Sequence, residues 1–445
     1  MAGPRLENLR QEILDKVRQY QALRQAGQDR PFEPGQDRVN YAGRWFDAAE
    51  LVNLVDASLE FWLTHGPWSR RLERELAGYL GTRHCALVNS GSSANLLAFM
   101  TLTSPLLGPR AIGRGDEVIT TACGFPTTLA PIVQAGAVPV FVDVSLPTAN
   151  LDPAQLEAAL SPRCKAVFAA HTLGNPFDLA TVGRFCQEHG LWLIEDNCDA
   201  LGSEFQGRRT GSFGDLATLS FYPAHHITTG EGGAVLTSQA DLRRAMLSLR
   251  DWGRDCWCDS GHDDTCGRRF SQQFGSLPQG YDHKYVYSHF GYNLKMTDLQ
   301  AAIGCAQVAK LGEITARRRH NFAYLREGLA GLEEFFILPQ ATPQSQPSWF
   351  GFLLTLRPGA PFGRARLVEH LEGRLIQTRN LFGGNLVRQP LMRGLRQGRD
   401  YRCPVELKVT DQIMRDSFWV GVYPGMDQDR LDYMVETIRG FVARR

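Results

Sequence analysis

The sequence lacks an excess of charge of either sign. It has 48 Lys and Arg against 47 Asp and Glu in 445 residues, a formal net charge of +1. Without a basic field, no nucleic-acid or anionic-membrane partner is expected. It also lacks any window of about 18 uninterrupted apolar residues, so no membrane span is expected. The opening stretch, MAGPRLENLRQEILDKVRQY, is charged and has no apolar h-region, which argues against a secretory signal. Internal repeats and low-complexity segments are missing, and so is a Gly-x-Gly-x-x-Gly fingerprint for a flavin or nicotinamide. These absences leave a soluble, cytoplasmic chain. The composition is globular, with 43% hydrophobic and 21% charged residues. That balance supports a sizeable core and excludes disorder. The length predicts one or two large domains.

The hydrophobic pattern divides the chain. Leu6, Leu9, Ile13 and Val17 have helical spacing over residues 5–25, and a polar Gly- and Pro-containing arm follows over 26–40. The pattern is helical again over 48–80. Short apolar runs then appear at Cys85–Asn89, Glu117–Thr120, Val138–Val144, Ala166–His171, Leu191–Glu195, Leu216–Phe221 and Gly233–Thr237. Helical segments separate the earlier runs, at Ala94–Thr101, Pro126–Ala135, Asp152–Leu160 and Leu179–Glu188. This alternation predicts an α/β fold with a seven-stranded, mostly parallel sheet. Residues 251–295 have no period and are too long for a plain connection, so they read as a functional insertion. The expected organisation is a helix and arm over 1–47, a large domain over 48–325 and a small C-terminal α+β domain over 326–445. Arg317-Arg318-Arg319-His320 reads as one solvated helical face. Trp252, Trp257 and Trp349 read as packing residues.

Three segments carry the chemistry. Asn89-Ser90-Gly91-Ser92-Ser93-Ala94-Asn95 follows a strand and opens a helix, an arrangement that suits a phosphate or an ordinary Ser N-cap. Leu193-Ile194-Glu195-Asp196-Asn197-Cys198-Asp199 puts acids at a strand tip, where α/β sheets bind ligands; one carboxylate there is also a normal helix cap. Ser220-Phe221-Tyr222-Pro223-Ala224-His225-His226 runs through Ile227-Thr228-Thr229 into Gly230-Glu231-Gly232-Gly233, placing two His in a loop between crevice-facing strands.

This third segment resembles the fold-type I pyridoxal-phosphate enzymes, and among them the aminotransferases of nucleotide-linked keto-sugars. Their motif is Ser-Phe-x-x-x-Lys-x-x-x-x-Gly-Glu-Gly-Gly, with the Lys as the Schiff-base residue. Ser220 and Gly230-Glu231-Gly232-Gly233 fix the frame, and the Lys position is His225. A His cannot tether the cofactor covalently. The resemblance therefore implies pyridoxamine phosphate held non-covalently, with His225 as a general base; a dead paralogue is the bland alternative. It further implies that Asp196 pairs with the pyridinium nitrogen. Phe125 stacks on the ring, and Gly91, Ser92 and Ser220 hold the phosphate. Asn293 reaches the neighbouring subunit's cofactor in a homodimer. Asp199, Tyr222 and Phe350 line the pocket. Arg379 and Arg388 are candidates for nucleotide or phosphate contacts, or are ordinary surface arginines.

Ten cysteines remain to be explained. A cytosolic chain of this size does not use a disulfide framework, and most read as small buried hydrophobes. Cys198 and Cys256 enclose 57 residues, Cys256 and Cys258 enclose one, and Cys258 and Cys266 enclose seven. Four thiolates suit a 2Fe–2S cluster or zinc, and the one-residue spacing fits neither simple pattern. The combination of His225 with these spacings is similar to the 3-dehydrases of CDP-4-keto-6-deoxyglucose, over nearly the whole chain. That resemblance implies pyridoxamine phosphate and a 2Fe–2S cluster on Cys198, Cys256, Cys258 and Cys266. His262 lies outside the four-ligand spacing and reads as a surface residue. It also implies an NAD(P)H-dependent iron–sulfur flavoprotein reductase, or a ferredoxin or flavodoxin, as electron donor. The expected reaction is C3 deoxygenation of CDP-4-keto-6-deoxy-D-glucose. The alternatives are a dTDP-4-keto-2,6-dideoxyglucose substrate or a non-catalytic redox-sensing paralogue.

Overall fold

The computed structural model describes residues 2–27 and 30–444. Gln28 and Asp29 of the expected arm, and Met1, lie outside the described residues. Helix α1 spans Ala2–Ala26 and leaves Leu6 and Leu9 exposed while burying Leu14. The helical stretch over 48–80 is two helices, α2 (Ala48–Glu60) and α3 (Pro67–Leu80). Phe61 turns left-handed at φ 53° and ends α2, and Pro67 restarts the chain at the first position of α3.

The seven apolar runs become β1 (His84–Val88), β2 (Glu117–Thr121), β3 (Val138–Val142), β4 (Cys164–Ala170), β5 (Trp192–Asp196), β6 (Leu216–Ser220) and β7 (Gly233–Thr237). They form one sheet in the order β1-β7-β6-β5-β4-β2-β3. Strands β6, β5, β4, β2 and β3 pair in parallel, and β7 runs antiparallel to both β1 and β6. Every residue of β2, β3, β5, β6 and β7 is buried, as both faces of the sheet are covered.

Helix α4 (Gly91–Thr101) packs on one face, where Leu97, Ala98 and Phe99 meet Phe168 and Ile194. Helix α5 (Pro126–Gln134) follows β2, and α6 (Leu179–His189) covers the opposite face through Leu179, Val182 and Phe185. The helix expected over Asp152–Leu160 is only a 3₁₀ turn, Pro153–Gln155, and one helical turn, Leu156–Ala159. Pro153 and the short apolar run allow no more. After β7 come α7 (Ala240–Arg250) and the largely irregular segment 251–295. This segment is tied at its base by single bridges between Asp251 and Asn293 and between Arg254 and Tyr287.

Helices α8 (Asp298–Val308) and α9 (Leu311–Gly328) lead to a second, antiparallel sheet. Its strands are β8 (Phe336–Ile337), β9 (Gly351–Leu356), β10 (Thr378–Arg379) and β11 (Ser417–Gly421), in the order β8-β9-β11-β10. Helices α10 (Arg364–Glu372) and α12 (Gln428–Val442) pack against it around Phe352, Phe418, Leu367 and Phe441, and α11 (Lys408–Asp416) precedes β11. Phe32 and Val39 of the arm are buried in this same core.

Helix α9 joins the two cores. Leu311 and Ile314 pack beneath the large sheet, while Phe322 and Leu325 pack in the second core. Its buried positions are 311, 314, 315, 318, 321, 322 and 325, one stripe at helical spacing. Arg318 falls on that stripe and is 1% exposed, so the expected solvated basic face is wrong for this residue. Core packing holds for Trp349, which stacks on Phe322 at 3.7 Å, and not for Trp252 and Trp257, which are exposed and instead pack within the insertion, Trp252 under Lys295 at 3.6 Å and Trp257 edge-on to His283 at 5.6 Å.

Phe168 lies fully buried in the middle of β4 against α4. Phe168→Ala is expected to cost about 3–5 kcal/mol through lost transfer energy and the cavity left behind. Chemical denaturation with unchanged m-value is the measurement.

Candidate active site

The site gathers where the parallel strands end, the usual ligand crevice of an open α/β sheet. Strand β1 ends one residue before the turn into α4. Ser90 caps that helix by accepting from the Ser93 N–H at 3.0 Å. The amides of Gly91 and Ser92 lie in the first turn, where a helix has no acceptors of its own. Gly91 is pressed against the end of β6: a Cβ there would lie 2.4 Å from the Cβ of Ser220 and 2.6 Å from its Oγ. Gly233, at the start of β7, has equally little room, with the Leu219 and Ser90 carbonyl oxygens 2.6 Å from its virtual Cβ. Three chain segments thus converge on Gly91, Ser92 and Ser220, and only glycine permits the approach.

Asp196 ends β5 and is buried. Its Oδ2 accepts from Asn95 Nδ2 at 2.8 Å and Thr128 Oγ1 at 2.7 Å. Its Oδ1 accepts from the Cys198 N–H at 3.3 Å and from Thr218 Oγ1 at 3.4 Å. Thr218 Oγ1 also lies 2.7 Å from Asn95 Oδ1, to which it donates. Asn95, Thr128 and Thr218 therefore orient the carboxylate, and none was singled out from the sequence as its partner. Asn95 stood in the quoted helix-opening segment. Thr128 and Thr218 carry no local signal, because their role exists only through the tertiary contact. Glu195, next to Asp196, points to the other face of the sheet. It accepts from the amides of Gly211, Phe213 and Gly214 and contacts His171 Nε2 at 3.0 Å. Its place in the acidic run is structural.

His225 sits on the turn after β6, its N–H donating to the Tyr222 carbonyl at 2.9 Å. Its Nδ1 stands 3.4 Å from Asp199 Oδ1, and neither Nδ1 nor Asp199 Oδ2 has a hydrogen-bond partner although both are buried. Burial lowers the His225 pKa to about 4, helped by the Arg318 charge and opposed by Asp196. Burial and Asp196 raise the Asp199 pKa to about 8, against Arg318. At neutral pH the pair is an uncharged imidazole facing a protonated carboxyl, so it is not an ion pair. His226 is different: its Nε2 donates to the Ser348 carbonyl at 2.8 Å and its side chain is buried. Both residues leave a buried Nδ1 without a hydrogen-bond partner, and of the two it is His225 whose Nδ1 faces Asp199.

Phe350 packs its ring 5.1 Å from that of His225. Tyr222 and Phe125 are half-exposed at the mouth, with Phe125 at the start of α5. Asn293 is exposed, and its Oδ1 accepts from Lys295 Nζ at 2.8 Å. The two arginines are engaged elsewhere. Arg379 lies over the Tyr41 ring at 3.9 Å, and Arg388 forms an exposed ion pair with Asp411. The structure does not bring either to His225.

The four expected thiol ligands do not meet within one chain. Cys198 Sγ lies 3.8 Å from Thr218 Oγ1, at the tip of β5. Cys256 has Cys258 and Cys266 as electrostatic neighbours, and Thr265 N–H donates to Cys258 Sγ at 3.3 Å. Cys256 and Cys258 line a separate cleft of about 800 Å³ with Arg250, Asp251, Trp252 and Lys295. Among the described residues no three His, Cys, Asp or Glu side chains form a group able to hold a metal ion. The physical reason is placement: the triad rides on the insertion beside α7, and Cys198 belongs to the sheet. His262 is exposed, as expected. No helix among the described residues is long and apolar enough to cross a membrane.

This fold and site have relatives. The chain is 51% identical over 434 residues to the lipopolysaccharide biosynthesis protein RfbH of Salmonella typhimurium, covering 98% of each chain. It is 52% identical over 432 residues to dTDP-4-dehydro-2,6-dideoxy-D-glucose 3-dehydratase of Saccharopolyspora spinosa, covering 97% of this chain and 92% of that one. Among solved structures it superposes on the E. coli GDP-4-keto-6-deoxy-D-mannose-3-dehydratase with bound hydrated PLP. The TM-score there is 0.80 at 26% identity, over 90% of this chain and 99% of the other. The fold is the fold-type I, pyridoxal-phosphate aminotransferase-like one, and the family model matches residues 46–439. The chain belongs to the DegT/DnrJ/EryC1/StrS aminotransferase family.

Proposed function

We propose that this chain removes the 3-hydroxyl of a nucleotide-linked 4-keto-6-deoxyhexose, using non-covalently bound pyridoxamine phosphate. The observation that carries the reading is His225: a neutral imidazole with a free ring nitrogen, standing at the family's Schiff-base lysine position. The names of the Saccharopolyspora spinosa relative and of the superposed E. coli structure, both 3-dehydratases of nucleotide-linked keto-sugars, support it.

The residues fit the cofactor. The buried atoms His225 Nδ1 and Asp199 Oδ2 are both left unpartnered on neighbouring side chains, and the helix start at Gly91 beside Ser220 suits a backbone-bound phosphate. When bound, pyridoxamine phosphate supplies an amine for the C4 ketone and a ring that accepts electron density. The amides of Gly91 and Ser92, with Ser220 Oγ, hold the phosphate. Asp196, fixed by Asn95 and Thr128, keeps the ring nitrogen protonated. Phe125 covers the ring. His225 takes the proton from the C4′ carbon, and Asp199, carrying its own proton, keeps a second negative charge out of the pocket. Tyr222 and Phe350 bound the sugar side. Asn293 reaches the cofactor phosphate of a second chain in a homodimer. The resemblance carried by His225 and the Cys198, Cys256, Cys258 and Cys266 spacings makes the CDP-linked sugar the first substrate to assay, and the name of the Saccharopolyspora spinosa relative makes the dTDP-linked 2,6-dideoxy sugar the second.

Replacing the hydroxyl by hydrogen needs two electrons. We assign their supply to a separate flavin- or ferredoxin-type reductase, since this sequence has no dinucleotide fingerprint. The spacing of Cys198, Cys256, Cys258 and Cys266 supports a 2Fe–2S cluster. Because a single chain leaves Cys198 apart from the other three, the reading places Cys198 and the triad on different chains of the dimer.

His225→Ala is expected to keep the cofactor and lose roughly 10² to 10⁴ in the exchange of the cofactor's C4′ hydrogen with solvent. His226→Ala should lose far less. His225→Lys is expected to bind added pyridoxal phosphate covalently, seen by mass after borohydride reduction. The exchange rate should rise through about pH 4 as His225 deprotonates and fall through about pH 8 as Asp199 ionises. A profile flat from pH 3 to pH 9 contradicts both assignments.

The cluster has its own test. Anaerobically purified protein should contain iron and absorb in the visible; zinc would be colourless. Cys198→Ser and Cys256→Ser should each remove the iron. Dimers mixed from the two variants keep one intact ligand set if the cluster spans two chains, and should regain about half the iron of wild type. No regain means that ligation is within a chain.

A further inference from the structure

The molecule buries one guanidinium that neither the fold nor the proposed chemistry explains. Arg318, halfway along α9, is 1% exposed and forms no ion pair within 4.0 Å among the described residues. Burying a cation without a partner is costly, and proteins avoid it unless the charge serves the site. Three carbonyls receive it. Nη1 donates to Trp349 O at 3.1 Å and to Phe350 O at 3.3 Å, and Nη2 donates to His225 O at 3.3 Å. Its Nε is buried and has no acceptor. The guanidinium also lies 5.8 Å from the centre of the Phe350 ring.

These contacts tie together two chain segments that belong to different sheets. His225 sits on the turn after β6 of the large sheet, and Trp349 and Phe350 lead into β9 of the second. Phe350 is the residue whose ring packs on the His225 imidazole. One side chain therefore sets the height of the turn and the place of the ring that flanks the imidazole. It also puts a fixed positive charge behind that imidazole.

We propose that Arg318 is a positioning residue for His225: its guanidinium clamps the His225 carbonyl to those of Trp349 and Phe350 and so fixes the imidazole against the Phe350 ring. The inference rests on the reading of His225 as the proton-moving group. Lysine retains the charge but cannot span three carbonyls with planar, fixed donors.

The experiment uses the full chain loaded with pyridoxamine phosphate. In Arg318→Lys, which keeps the charge and loses the planar fork, solvent exchange of the cofactor's C4′ hydrogen is expected to fall by roughly 10-fold or more from misplacement of His225, while KM for the sugar stays at the wild-type value. In the His225→Ala background the same change should have no further effect, because its only route to the proton is through His225. A wild-type exchange rate in Arg318→Lys overturns the proposal, and so does a further fall in the double variant as large as that in the single one. Failure of the underlying reading looks different: His225→Ala alone would exchange the C4′ hydrogen at the wild-type rate.

Discussion

The N-terminus of α4 meets the end of β6 with no room for a methyl group between them, and the rest of the site depends on that approach. A side chain at Gly91 would overlap Ser220, and one at Gly233 would overlap the carbonyl oxygens of Leu219 and Ser90. Seated this deeply, α4 puts Asn95 within 2.8 Å of Asp196 and makes it the acceptor for Thr218. The same helix start that leaves its first amides without acceptors thus orients the carboxylate one strand away. A helix displaced by the width of a side chain would lose both at once.

Charge in the cavity follows from burial more than from pairing. Asp199 and His225 are close enough to suggest an ion pair, yet desolvation pushes each toward its neutral form. Asp196 keeps its place through donors from Asn95, Thr128, Thr218 and the Cys198 amide. Arg318, opposite, is compensated by carbonyl dipoles. Burial thus leaves a proton donor and a proton acceptor side by side, each favoured in its neutral form.

Much of this was legible in the sequence where local rules apply. Seven apolar runs separated by helices give the parallel sheet, because strands buried on both faces have no choice but to be apolar. The run from Ser220 to Gly233 locates His225 through its resemblance to the family's Schiff-base motif, which fixes the frame on both sides. What could not be read was tertiary. Thr128 is an ordinary helix residue until β5 delivers Asp196 beside it. Glu195 looks like a site acid until strand alternation turns it to the other face. Arg318 was misread because a run of three arginines suggests a solvated surface. Its register with Phe322 and Leu325, four and seven residues on, placed it on the buried stripe all along. The four cysteines share a family spacing, yet sequence distance carries no statement of which chain each thiol reaches.

Helix α9 has one further consequence, for how the chain can change in length. The helix enters one core at Leu311 and Ile314 and leaves through another at Phe322 and Leu325. Each residue advances an α-helix by about 100°. A single insertion or deletion between Ile314 and Phe322 would therefore swing one end of the stripe out of its core, or carry Arg318 round to solvent. The stretch between the two cores is thus a ruler whose length is fixed by what it joins. The exposed turn at Arg357, Pro358 and Gly359, beyond the end of β9, is where the chain can gain or lose residues without disturbing the spacing of its two sheets.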